Sequence, residues 1–228
     1  MRRVFVAVLV LFSFITTPAI ALQYSVSNGS EERLIEPFLF DGSSAEFYNY
    51  DTLYGMSAAP VQPGLTSSDA ITLFLLESST SGDDALSLGM IFDAPKDGSG
   101  GAVTLSLTGL PGALSVAVID DYGDYSPETG RVAFSWINCC TDGFLADGIS
   151  KEAFTARLDF FSRSGLANGF LVATPDGTGG TRLHELGLGD SFTIRAFEEG
   201  AAAVSLPATA LLLLGALSGL MIAAWKRD

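Results

Sequence analysis

The sequence predicts an all-β protein: an antiparallel, jelly-roll-like β-sandwich ectodomain followed by one C-terminal transmembrane helix. Three observations carry that expectation. Short apolar runs recur through the middle of the 228-residue chain, several with every second residue apolar, which is the period of a half-buried strand. Clusters of Gly, Asp, Ser and Pro separate these runs, as turns between strands require. The run ATALLLLGALSGLMIAAW, residues 208–225, contains no charge.

At the N-terminus, Arg2-Arg3 precedes an apolar run from Val4 to Ile15, and Pro18 and Ala19-Ile20-Ala21 follow. A basic start, an apolar stretch and an A-x-A site make a secretory signal peptide. A helix of about 12 residues spans about 18 Å, too short for a hydrocarbon core of about 30 Å. Residues 1–21 are therefore expected to be cleaved after Ala21, which leaves Leu22 as the first mature residue.

Residues 22–200 are expected to form the ectodomain, a length sufficient for one domain with a sizeable core. The expected strands lie at Ile71–Leu76, Leu86–Phe92, Val103–Leu107, Leu114–Ile119, Val132–Ile137, Phe170–Ala173 and Phe192–Phe197. Turn signals stand between them at Asp97–Gly101, Gly109–Gly112 and Pro175–Gly180, where glycine supplies the backbone freedom that tight turns need. Glu152–Phe161 alternates like a strand, although Phe154, Leu158 and Phe161 would also share a helix face; its neighbours favour strand. The region 22–68 is less regular, and Phe38–Tyr54 suits an edge strand or a covering loop.

Charge excludes some partners. The chain has 12 basic and 26 acidic residues, a net charge of −14. Four of the basic residues and one acid lie in the end segments, which leaves 8 and 25 in between, a net of −17. Such a body repels nucleic acid and anionic lipid headgroups. It suits divalent cations, basic partners or solubility outside the cell.

Candidate chemistry is sparse, and no catalytic residue is expected. Asp120, Asp121, Asp124 and Glu128 form an acidic turn with Tyr122 and Tyr125. Clustered carboxylates suit calcium, although the spacing is not that of an EF-hand loop; the tyrosines could stack on sugar rings. Asp83-Asp84 and Asp93 to Asp97 read as ordinary loop acids. Cys139 and Cys140 are adjacent among turn formers. In an oxidising compartment they can close a vicinal disulfide that stiffens the turn; reduced thiols, or a redox, metal or intermolecular role, are the alternatives. His184 is the only histidine, so a zinc site of ordinary ligand spacing is not expected. No G-x-S-x-G elbow or phosphate-binding glycine loop is present.

The tail closes the chain. At 1.5 Å per residue, residues 208–225 span about 27 Å, close to the hydrocarbon thickness. Trp225 stands at the end, followed by Lys226-Arg227. Positive charge favours the cytoplasmic side, so the acidic body is expected outside. Val204, Leu206, Pro207 and Ala208, then the apolar helix, then the short basic end, resemble the VPLPA-type sorting signal of the PEP-CTERM class. Ser205 departs from that pattern, and the basic end is short and finishes in Asp228. The resemblance covers residues 204–228. It implies an exosortase-type processing enzyme as partner, anchorage in the inner membrane before processing, and delivery to the cell surface or extracellular matrix. Leu86-Ser87-Leu88-Gly89, Asp93-Ala94-Pro95, Asp120-Asp121 and Trp136–Gly143 also look like ectodomains of exosortase-sorted proteins, a likeness that brings no activity.

The expected function is thus a non-enzymatic surface or matrix protein linked to exopolysaccharide. The alternatives are an exported hydrolase acting on envelope polymers and a calcium-dependent adhesin.

Overall fold

The computed structural model describes residues 22–49, 62–79, 85–111, 115–119, 125–126, 131–137 and 141–198. All lie within one compact unit, Leu22–Glu198. In chain order, β1 (Leu22–Ser27), β2 (Glu32–Ile35) and β3 (Phe38–Phe40) lead to helix α1 (Ser44–Tyr48). Then follow β4 (Ala70–Ser78), β5 (Ala85–Phe92), β6 (Gly101–Thr108), β7 (Ser115–Ile119), β8 (Tyr125–Ser126) and β9 (Arg131–Trp136). The last five are β10 (Asp142–Ser150), β11 (Phe154–Ser164), β12 (Gly169–Pro175), β13 (Thr181–Glu185) and β14 (Ser191–Glu198). The all-β expectation holds. Among the described residues no helix is long and apolar enough to cross a membrane; the expected span 208–225 lies outside them.

Two seven-stranded sheets result. The first runs β2-β1-β14-β11-β6-β9-β8; the second runs β13-β12-β4-β5-β10-β7, with β3 beside β4. They face each other across one core, to which Val26, Val103, Phe134, Leu158 and Ile194 come from the first sheet and Leu73, Leu88, Phe92, Phe144 and Phe170 from the second. β9 shows how the sequence dictates this. Arg131, Ala133 and Ser135 face solvent while Val132, Phe134 and Trp136 are buried, so its alternation is the signature of one wet face. β4 instead reads AITLFLLES and is buried nearly throughout. Its second face carries Phe74 and Leu76, which pack under Phe38, Phe47, Tyr48 and Leu65. A continuous apolar run is what a strand covered on both faces needs.

The sheets are not antiparallel throughout, which corrects the expectation. β12 runs parallel to β4, with Gly169 opposite Ala70, and β3 also runs parallel to β4, with Phe38 opposite Leu76. The chain reaches β12 by crossing over from β11 in the other sheet, and a crossover of that kind permits parallel pairing where a tight hairpin does not. Glu152–Phe161 is strand, as β11. Its alternation buries Ala156, Leu158 and Phe160 and leaves Phe161 outward, 57% exposed; the register with β6 shifts between Phe160 and Ser162.

The two ends of the sandwich differ. At one end Leu22 pairs with Glu198. At the far end β4 and β12 begin, β5 finishes opposite the start of β10, and Trp136 pairs with Gly101.

Tyr24 is buried in β1. Burial, and then the negative charge of Glu77, push its phenol up to about 12 from an ordinary 10.0. The neutral phenol contributes its full share of stability below pH 10.0, and that share is lost as the pH rises toward about 12, since only the unfolded chain ionises in between. Across that window stability should fall by up to about 2 kcal/mol. Melting midpoints measured against pH should show this fall, and Tyr24→Phe should flatten it.

Candidate functional site

The far end of the sandwich is organised around one carboxylate. β5 stops at Phe92, and Asp93 leaves the sheet with φ 70, a left-handed conformation that Asp tolerates better than most residues. Its N–H still donates to the Ala70 carbonyl at 2.8 Å. Its side chain turns inward, and the residue is 1% exposed. Asp93 Oδ1 accepts the backbone N–H of Asp69 at 2.7 Å and that of Ala94 at 2.8 Å. Oδ2 accepts the Trp136 indole N–H at 2.7 Å and the Ser99 hydroxyl at 3.0 Å. These four donors offset the loss of water around a buried charge. They also join the entry to β4, the β5–β6 loop and β9, and so link the two sheets.

Two further carboxylates stand beside it. One oxygen from each of Asp69, Asp93 and Asp97 lies within 4.8 Å of the others. Asp69 also has a left-handed backbone, φ 54. Its carbonyl accepts from Asn168 N–H at 2.8 Å, which ties the start of β4 to the turn before β12. Asp97 is exposed. It accepts the Ser99 N–H and lies 2.9 Å from the Ser99 hydroxyl, whose one proton is shared between Asp93 and Asp97. The Ser99 N–H is the main reason that the Asp97 carboxyl is held below its usual range.

Three close carboxylates offer the hard oxygen donors that calcium prefers. Asp93, however, is already filled, because four donors occupy the roughly four lone-pair sites of a carboxylate. The oxygens open to a cation belong to Asp69 and Asp97, with the Asp93 charge behind them. As it stands, the arrangement is a structural clamp with an acidic outer rim.

The reading of Asp93 as an ordinary loop acid is corrected here. Nothing local in Asp93-Ala94-Pro95 signals a buried anion, and its partners Asp69 and Trp136 are 24 and 43 residues away. The one available hint was Trp136, whose indole N–H needs an acceptor once the strand is buried. His184 lies on β13 with its ring nitrogen 3.5 Å from the Thr174 hydroxyl. Asp120, Asp121, Asp124 and Glu128, the Cys139-Cys140 pair, and Val204, Leu206, Pro207 and Ala208 lie outside the described residues.

No protein-family model, curated protein or solved structure matches this chain.

A second feature is an open groove of about 230 Å³ at the Leu22 end. Among the described residues Leu22, Tyr24, Leu34, Ile35, Glu36 and Pro37 line it.

Proposed function

We propose that the chain is an exported, non-enzymatic surface or matrix protein. In this reading a jelly-roll-like sandwich is held by the helix at 208–225 in the inner membrane, then released to the surface by an exosortase-type enzyme acting near Val204–Ala208. The observation that carries the proposal is the coincidence of boundaries. The compact unit begins at Leu22, the residue that follows the predicted signal-peptide cut. It ends at Glu198, six residues before Val204, where the sorting motif begins. Leu22 and Glu198 are opposite one another in the sheet, so both ends of the compact unit lie at the same end of the sandwich. The Asp93 clamp supports a structural role over a catalytic one, because its buried carboxylate is fully engaged.

Mass spectrometry of the protein recovered from cells and from medium tests this directly. The expected product begins at Leu22 and ends within or beside Val204–Ala208. A chain recovered intact from Met1 to Asp228 would sink the proposal.

A further inference from the structure

The first sheet has a free edge. β2 is its last strand and pairs with β1, Tyr24 opposite Ile35 and Ser27 opposite Glu32. The phase of that ladder decides which main-chain groups it uses. Asn28 N–H donates to the Glu31 carbonyl at 3.1 Å. Bonded and non-bonded pairs alternate along an antiparallel ladder. The bonded pairs are therefore Asn28 with Glu31, Val26 with Arg33 and Tyr24 with Ile35. The N–H and C=O groups of Glu32 and Leu34 point away from β1, and among the described residues they have no main-chain partner. Ile35 faces the core opposite Tyr24, so alternation puts Glu32 and Leu34 on the outer face. Leu34 is 60% exposed. The open groove adjoins the same edge, since Leu34, Ile35, Glu36 and Pro37 are among its lining residues.

An exposed leucine on an unpaired edge is a template for another strand, and charge decides which strand. Residues 31–36 read EERLIE, three glutamates against one arginine. Arg33 pairs with Glu31 at 3.1 Å. Glu32 accepts the Ser25 hydroxyl at 2.7 Å, a neutral donor that leaves its charge in place. Neither Glu32 nor Glu36 has an ion pair among the described residues. Leu34 thus stands between two carboxylates without counter-ions, each two residues away. A second copy pairing through this edge about a two-fold axis brings like charges together. Glu32 meets Glu36 when Leu34 faces itself, and Arg33 meets Arg33 one step away. Like charges directly opposite are destabilising, and a net charge of −14 on each copy adds to the repulsion. A strand with lysine or arginine at the two positions that face the glutamates is attracted instead.

We propose that β2 receives an extended segment of a partner protein as an added strand, and that the segment carries an apolar side chain with lysine or arginine two residues to either side. The main chain of Glu32 and Leu34 supplies hydrogen bonds that are indifferent to sequence, and the side chains supply the selection. Residues two apart on a strand share a face, so the apolar residue meets Leu34 while the two cations meet Glu32 and Glu36. The pattern reads the same in both directions and suits either strand polarity. The inference goes beyond the export reading and does not depend on it.

The test uses the full-length chain in nonionic detergent and a fluorescein-labelled synthetic peptide, Thr-Lys-Thr-Val-Thr-Lys-Thr, with binding read by fluorescence anisotropy. One control peptide has glutamate in place of both lysines; the other, Lys-Lys-Thr-Thr-Thr-Val-Thr, has the same composition in another order. The first peptide should bind about tenfold more tightly than either control, and its binding should weaken as salt is raised. Glu32→Lys/Glu36→Lys should reverse the preference, binding the glutamate peptide better than the lysine peptide. Leu34→Lys should weaken binding of the first peptide about tenfold with an unchanged melting midpoint, because the position is exposed; it keeps the test decisive if the double variant fails to fold. Equal binding of the rearranged peptide would reduce the effect to bulk attraction and overturn the inference, as would undetectable binding or an unaffected Leu34→Lys. A doubled mass in light scattering that Leu34→Lys returns to the single value would assign the edge to a second copy and overturn it too. None of these outcomes bears on where the chain is cut, so the export reading stands or falls separately.

Discussion

Replacing Asp93 by Ala should destabilise the sandwich by about 3–5 kcal/mol, more than any other single polar substitution among the described residues. The loss is not that of one contact. The Trp136 indole N–H and the Asp69 and Ala94 N–H groups lose their acceptor together, while the Ser99 hydroxyl keeps Asp97. The indole is the costliest orphan, because Trp136 is 5% exposed and water cannot readily replace the carboxylate; one buried unsatisfied donor costs about 1–3 kcal/mol. In a domain of this size each kcal/mol shifts the melting midpoint by about 2–4 °C, so calorimetry should register a drop of about 6–20 °C. Asp93→Asn keeps the shape and one acceptor oxygen but turns the other into a donor facing donors, so about half of the loss is expected. A midpoint unchanged in Asp93→Ala would mean that the clamp does not hold the far end together.

The contrast between Asp93 and the strands shows what a sequence of this kind reveals. β6, β9 and β14 were legible because a sheet with one wet face imposes period two on each strand independently. β4 was legible because a strand covered on both faces needs an unbroken apolar run. β10 was not, because it opens with Asp142-Gly143, which locally signals a turn, and its register shifts between Ala146 and Ile149, which breaks the alternation. Gly143 belongs in the strand because Met90 and Tyr48 leave no room for a Cβ there, a condition set by residues distant in sequence. β13, TRLHE, is an edge strand without a buried side, so packing writes no pattern into it. α1 is only five residues long, too short for helical periodicity to register. Its capping box, in which Ser43 and Glu46 exchange hydrogen bonds, was the readable sign. The candidate site failed to show for the same reason as β10: Asp69, Asp93 and Asp97 meet only because β4 and β5 are hairpin neighbours.

The second core over the outer face of β4 gives the other large effect. Phe74 is fully buried there, with its ring against Phe38 and Phe47 at 6.4 and 5.7 Å between centroids, and it covers Gly89 on the adjacent strand β5. Phe74→Ala should cost about 3–5 kcal/mol, through lost burial and the cavity that remains. Gly89→Leu should destabilise by itself, because its side chain would enter the space that the Phe74 ring occupies. Together the two changes compensate, since the new leucine fills part of the room that the ring vacates. The double variant should therefore be more stable than the sum of the single losses predicts, by about 0.5–3 kcal/mol. Strict additivity would mean that ring and glycine do not share one space.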